Sequence, residues 1–167
     1  MGLYTHTLSL ILLRSHLLHD HNPYSPRLTQ AILLSHAAAS RLGQPHVGPE
    51  QLLLGLLGVE GGSAYRMLAA VGVTPYELER QLVEGSHAGY STPAGQHPLS
   101  PEAENALYIA GREADFWNSD SVETQHLLLA LLRDETTRIG RLLDSYGVHY
   151  QFLFDMAAYD RVGLRFG

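Results

Sequence analysis

The feature that most constrains this chain is an internal duplication. When the sequence is displaced against itself by 75 residues (100 − 25), Ser25-Pro26 falls on Ser100-Pro101 without a gap. The same displacement aligns leucine-rich runs at residues 52–57 and 127–132, and Gly-Val pairs at residues 72–73 and 147–148. Two unrelated amphipathic helices would not keep one offset across caps, loops and turns, so we interpret the chain as two copies of one structural unit.

Each copy has the sequence pattern of four helices. Ser25 and Ser100 both precede a proline, an order typical of an N-cap followed by the first helical position. Small and apolar residues then recur at helical spacing, and a leucine-rich helix follows. Gly72 and Gly147 are candidate left-handed C-caps of a third helix, and Thr74-Pro75-Tyr76-Glu77 has the form of a capping box that opens a fourth. The predicted fold is therefore all-α, with two tandem four-helix repeats in a pseudo-two-fold arrangement.

The duplication also divides the chain into segments. We assign residues 1–23 to an N-terminal extension, 24–84 to the first repeat and 99–157 to the second repeat. Residues 85–98 are rich in Gly, Ser and Pro, a composition that predicts a flexible or extended linker. Residues 158–167 form a C-terminal tail.

Composition excludes several classes of function. The chain has no cysteine, its 11 basic residues are all arginine, and 17 acidic residues give a net charge of −6. No basic cluster is present to neutralise phosphates, so we expect no nucleic-acid partner. The apolar run Leu8–Leu13 is too short to span a bilayer, and we expect a cytoplasmic protein without a membrane partner.

Two motifs carry a resemblance to a known family. Arg41-Leu42-Gly43 precedes the leucine-rich run Val47–Leu57, Ala69–Val73 follows it, and the second copy contains Val122–Leu132. This pattern resembles the Clp N-terminal repeat, in which Gly-Thr-Glu-His precedes a leucine-rich helix and a later Leu-Gly-Val. The resemblance covers residues 24–154. It suggests a stand-alone form of the double Clp repeat, because the 167 residues lack the Gly-x-x-x-x-Gly-Lys motif of the AAA+ ATPase modules.

The resemblance implies a non-enzymatic, protein-binding function. In the family this domain precedes AAA+ modules and binds adaptors or substrates, and in some members it binds phosphorylated arginine. We therefore expect an accessory factor, adaptor or modulator of a Clp-type unfoldase-protease. Its partners would be the ATPase, the peptidase core, their substrates or adaptors, or a phosphoarginine-bearing protein. No cofactor is implied.

The family's binding pocket maps onto three positions in each copy. These positions are Ser25, Pro49, Glu50, Ser100, Thr124 and Gln125. A capped helix N-terminus offers N–H groups to an anion, and a carboxylate pairs with a guanidinium. Because Gln125 replaces the acid in the second copy, the hypothesis is a protein- or peptide-binding pocket around Ser25 and Glu50. The alternative is that Ser25 only caps a helix and Glu50 only stabilises a first helical turn.

Two rival functions remain open at this point. A duplicated helical module would also suit a ligand or protein partner unrelated to Clp proteolysis. A metal-dependent enzyme would use the histidine-rich group His16, His19, Asp20 and His21. No cysteine and no His-Glu-x-x-His motif accompany that group, so we expect neither a metal site nor a catalytic residue.

Overall fold

The computed structural model describes residues 22–84 and 97–161, which form eight helices. They are α1 (Pro26–Arg41), α2 (Pro49–Leu57), α3 (Ser63–Ala70), α4 (Pro75–Glu84), α5 (Pro101–Phe116), α6 (Thr124–Leu132), α7 (Arg138–Asp144) and α8 (Tyr150–Arg161). Each helix of the second repeat begins 75 residues after its counterpart (101 − 26, 124 − 49, 138 − 63 and 150 − 75). The all-α fold and the duplication are therefore confirmed.

The predicted caps are present at the start of the first helix and at the end of the third helix of each repeat. The Ser25 hydroxyl accepts a hydrogen bond from the Leu28 N–H at 3.1 Å, and the Ser100 hydroxyl accepts one from the Ala103 N–H at 3.2 Å. After α3 and α7 the chain turns at residues 72 and 147, where the two glycines have φ angles of +77° and +73°. This left-handed conformation favours glycine because a Cβ atom would clash with the backbone.

The leucine-rich helices α2 and α6 lie at the centre of their repeats. Their large side chains are almost completely buried, as in Leu52, Leu53, Leu56, Leu127, Leu128 and Leu129. Burial of one leucine side chain is worth roughly 1.5–3 kcal/mol. The near-continuous leucine runs therefore reflect burial on most sides rather than a single amphipathic face.

Helices α1 and α2 cross with their backbones in contact. A Cβ atom added at Gly55 would lie 2.1 Å from the Ala31 carbonyl oxygen and 2.4 Å from the Ser35 hydroxyl. Only glycine permits this approach without a shift of one helix. The corresponding residue of α6 is Ala130, so the second repeat accommodates a methyl group at the same crossing.

Two isolated parallel β-bridges join the repeats, an arrangement that we call the cross-pairing. The segment before α1 pairs with the segment before α6, where the Ser25 N–H donates to the Val122 carbonyl at 3.0 Å. The segment before α5 pairs with the segment before α2, where the Ser100 N–H donates to the Val47 carbonyl at 2.9 Å. Each N-cap serine is thereby placed beside the leucine-rich helix of the other repeat.

Further observations concern membrane spans and the limits of the described segments. No helix within residues 22–84 and 97–161 has the length and hydropathy needed to cross a membrane. Helix α8 continues to Arg161, past the boundary predicted at residue 157. The histidine-rich group at residues 16–21 and most of the predicted linker lie outside the described residues.

Candidate functional site

A cleft opens where the first turns of α2, α5 and α7 converge. It has a volume of about 560 Å³ and combines residues from both repeats. Its polar lining includes His46, Glu50, Gln51, Ser100, Glu102 and Arg138. We call this surface the open cleft, and its position follows from the cross-pairing, in which the Val47–Leu99 bridge brings the start of α5 to the start of α2.

The start of α2 supplies one carboxylate to the open cleft. The Gln51 side chain turns back and accepts a hydrogen bond from the Gly48 N–H at 2.9 Å, so Gln51 stabilises the helix start. Glu50 lies on the same turn and faces the Arg138 guanidinium at 3.8 Å, with both side chains partly exposed. A partly exposed ion pair at this distance is weak, so the Glu50 carboxylate can exchange Arg138 for another cation.

The start of α5 supplies a second carboxylate. The Glu102 backbone N–H and the Ser100 hydroxyl hold the pKa of the Glu102 carboxyl below its usual value. Glu102 is therefore negatively charged at neutral pH. Together with Glu50 and Arg138, it gives the open cleft two acidic side chains and one basic side chain at three helix N-termini.

The pseudo-two-fold counterpart of the open cleft is closed. Thr124, the equivalent of Pro49, is fully buried, and its hydroxyl accepts a hydrogen bond from the Ala64 N–H at 3.1 Å. The Ser63 hydroxyl lies 2.9 Å from the Thr124 hydroxyl and accepts from the Gln125 N–H at 3.0 Å. We call these bonds the Ser63–Thr124 cluster. It joins the start of α3 to the start of α6.

The sequence explains why this cluster forms at only one of the two positions. In the open cleft, Pro49 replaces Thr124 and therefore offers no hydroxyl group. Arg138 replaces Ser63, so a long cationic side chain stands where a short hydroxyl closes the other position. The first turns of α2 and α7 consequently cannot join in the same way, and the space between them stays accessible.

Comparison with known proteins decides the family. The model of the Clp repeat (R) N-terminal domain matches residues 23–146. This chain belongs to the Clp repeat N-terminal domain family.

Similar Clp proteins are much longer than this chain. The ATP-dependent Clp protease ATP-binding subunit ClpA homolog of Cyanidium caldarium is 32% identical over 127 residues, which are 75% of this chain and 15% of that protein. The chloroplastic chaperone protein ClpC1 of Oryza sativa subsp. japonica is 32% identical over 126 residues, 74% of this chain and 14% of that protein. The chain thus spans about one seventh of the curated relatives it matches.

Solved Clp structures share the fold. The N-terminal domain of the chaperone ClpD from Arabidopsis thaliana superposes with a TM-score of 0.65 at 21% identity, covering 83% of this chain and 96% of that domain. The Hsp104 N-terminal domain from Candida albicans gives a TM-score of 0.66 at 16% identity, covering 85% of this chain and 93% of that domain.

In the structure, the six predicted site residues form two groups that differ from those of the sequence hypothesis. The open cleft contains Pro49, Glu50 and Ser100, whereas Ser25 lies beside α6 with Thr124 and Gln125. Ser25 and Glu50 therefore lie apart, because the cross-pairing places each N-cap serine beside the other repeat. Helix caps can be read from local sequence, but a contact between residues 47 and 99 cannot.

Two charged residues of the open cleft were not predicted from the sequence. Glu102 and Arg138 lie in first helical turns, where a single acid or base usually has only a local effect. In the first repeat the equivalent residues are Arg27 and Ser63. The difference in charge between equivalent positions is the only feature of the sequence that could have indicated a role for Glu102 and Arg138. Within the described residues, no group of three or more His, Cys, Asp or Glu side chains could hold a metal ion.

Gln51 stands where the family's Gly-Thr-Glu-His pattern has histidine, and it keeps the structural role of that histidine. His126 of the second repeat is buried, and its Nδ1 atom accepts a hydrogen bond from the Glu123 N–H at 2.9 Å. Gln51 of the first repeat accepts the equivalent bond from Gly48. Burial lowers the pKa of His126 to about 4, so the ring stays neutral and keeps this acceptor.

Proposed function

We propose that this chain is a non-enzymatic adaptor or modulator of a Clp-type AAA+ unfoldase-protease. In Clp ATPases the domain of this family binds substrates and adaptors. The observation that carries the proposal is the open cleft, a polar, accessible surface of about 560 Å³ between the two repeats. The proposed setting is the cytoplasm.

The charges of the open cleft suit a protein segment that contains both a cation and hydrogen-bond acceptors. Glu50 and Glu102 would pair with a guanidinium, which offers parallel N–H donors to carboxylates. Arg138 would release Glu50 and contact a carbonyl or phosphoryl oxygen of the same segment. Docking of this kind needs no chemical step, and the cleft's polar groups are used for recognition alone.

A phosphoarginine side chain is one ligand that presents both charges. Its phosphoryl group would face Arg138 and the N-terminal turn of α5, while its guanidinium group would face Glu50. The open cleft supports this ligand better than the closed counterpart, where Gln125 replaces the carboxylate and Thr124 is buried. Titration with phosphoarginine, arginine and phosphoserine peptides of one sequence would separate the contribution of the phosphoryl group to binding from that of the guanidinium group.

The proposal is tested by quantitative co-purification from the host with tagged wild type and Glu50→Gln. The matched control is Glu60→Gln, which removes the same charge from an exposed position outside the open cleft. We expect a Clp ATPase or its peptidase core with wild type and Glu60→Gln, and much less with Glu50→Gln. Recovery of an unrelated protein with all three would show that the Clp fold here serves another partner.

A further inference from the structure

A second accessible surface lies on the first repeat, away from the open cleft. It is a groove of about 250 Å³ between α1, the end of α2 and the start of α4. The apolar and small residues of its lining include Leu34, Ala37, Ala38, Leu54, Leu57 and Gly58. We call it the first-repeat groove.

An ion pair borders the first-repeat groove. The Arg41 guanidinium lies 2.8 Å from the Glu79 carboxylate, and the two side chains are 60% and 45% exposed. Both residues line the groove. An exposed pair of this kind contributes little to stability, so its side chains are free to rearrange around an incoming group.

The second repeat shows what occupies the same volume. Displaced by 75 residues, Pro75 becomes Tyr150 and Glu79 becomes Phe154. The Phe154 ring packs against Trp117 with a centroid distance of 4.7 Å, and it lies 5.7 Å from the Tyr150 ring. Aromatic side chains of the second repeat itself therefore fill the space that is empty in the first repeat.

A charged pair completes the occupied site. At the position of Gly58 the second repeat has Arg133, whose guanidinium lies 4.8 Å from the centre of the Tyr150 ring. At the position of Ala38 it has Glu113, which bonds to Arg133 at 2.7 Å and accepts from the Tyr150 hydroxyl at 3.0 Å. In the second repeat, this position of the fold therefore holds an aromatic ring against a guanidinium.

We propose that the first-repeat groove is a docking site for one large aromatic side chain from a partner protein. The ring would pack on Leu34 and Leu57 and lie against the Arg41 guanidinium, as Tyr150 lies against Arg133. Small residues at 38 and 58 leave room where the second repeat has Glu113 and Arg133. This surface is separate from the open cleft, so the inference does not depend on the proposed function.

The test uses ¹⁵N-labelled full-length protein and soluble Gly-Ser peptides that differ only in one central residue, Trp, Leu or Ser. Ala37 is exposed and borders the groove, so Ala37→Phe should fill it. Ala70→Phe makes the same change at an exposed position of α3. We expect the Trp peptide to shift the amide signals of Ala37, Leu57 and Gly58, more than the Leu peptide and far more than the Ser peptide.

The variants decide between the groove and other surfaces. The Trp-dependent shifts should be lost in Ala37→Phe and kept in Ala70→Phe. Equal shifts in both variants, or shifts centred elsewhere, would overturn the inference. So would self-association, seen as the same shifts on concentration without peptide. The inference would also fail if Leu8→Ser/Ile11→Ser/Leu12→Ser moved the groove signals without peptide, since the chain's own N-terminal segment would then be the occupant.

Discussion

The two repeats share a backbone and a core but differ where side chains reach the surface. The second repeat contains a buried carboxylate, a guanidinium and an aromatic cluster where the first has small residues around a groove. The hydroxyl bonds that close one of the two clefts are absent from the other, where Pro49 stands. After a duplication, equivalent positions can therefore be used for stability in one copy and left accessible for binding in the other.

The largest expected difference between the repeats concerns their arginine–glutamate pairs. Glu113 is 1% exposed, so Arg133→Met would leave a buried carboxylate that still accepts a hydrogen bond from the Tyr150 hydroxyl but has lost its cation, which should cost about 3 kcal/mol. Arg41→Met breaks an exposed pair and should cost less than about 1 kcal/mol. Urea unfolding of both variants measures this, and equal costs would contradict the difference in burial.

A methyl group should destabilise the α1–α2 crossing and stabilise the equivalent crossing of the second repeat. Gly55→Ala places a Cβ atom 2.1 Å from the Ala31 carbonyl oxygen and should destabilise the protein by about 2 kcal/mol. Ala130→Gly removes a methyl group from the equivalent crossing and should cost about 1 kcal/mol through helix propensity. Thermal unfolding ranks the two variants. If Gly55→Ala were the milder change, α1 and α2 would not cross in backbone contact.

The side chain that caps α6, His126, can titrate, whereas its counterpart in the first repeat, Gln51, cannot. Burial lowers the pKa of His126 from 6.5 to about 4, so below pH 6.5 the unfolded state takes up a proton that the folded state does not. The free energy of unfolding should therefore fall by up to about 1.4 kcal/mol per pH unit between pH 6.5 and 4. His36 acts in the same direction, because burial and the neighbouring His97 lower its pKa.

The variant His126→Gln installs the residue type of Gln51 and isolates this effect. It keeps a hydrogen-bond acceptor for Glu123 but cannot titrate, so the loss of stability on acidification should be smaller than in wild type. Denaturant unfolding at pH 7, 6 and 5 gives the two slopes. Identical slopes would assign the pH dependence to His36 or to other groups.

The smallest expected effect concerns the Ser63–Thr124 cluster. Thr124→Val keeps the shape of the side chain but leaves the Ala64 N–H without its hydroxyl acceptor, which should cost about 1 kcal/mol. Pro49→Ala changes the equivalent position in the open cleft, where no such bond is made by the side chain, and should stay within about 0.5 kcal/mol. Similar costs in urea unfolding would mean that Thr124 contributes no more than Pro49.

Local chemistry made much of the fold predictable. The Ser-Pro starts, the Gly72 and Gly147 turns and the leucine-rich helices each depend on residues close in sequence, and the structure confirms them. The constant offset between the repeats further predicted that these helices form two equivalent units. The cross-pairing between the repeats was not predictable, because it depends on contacts such as Val47 with Leu99 that no short motif encodes.

The candidate site was only partly predictable for the same reason. Glu50 and Ser100, which the sequence hypothesis assigned to separate pockets, both line the open cleft, whereas Ser25, which it grouped with Glu50, lies beside α6. Arg138 carries no sequence signal for a binding role beyond its replacement of Ser63. Tertiary contacts, rather than residue identity, decide which of the duplicated positions face each other.

The most direct test of the central claim is to close the open cleft with the residues of its counterpart. The double variant Pro49→Thr/Arg138→Ser supplies both hydroxyl groups of the Ser63–Thr124 cluster while leaving Glu50 and Ser100 in place. We expect a folded double variant to recover at least about tenfold less Clp ATPase or peptidase core than wild type in quantitative co-purification. Undiminished recovery, with folding verified by thermal unfolding, would contradict the claim that partners bind in the open cleft.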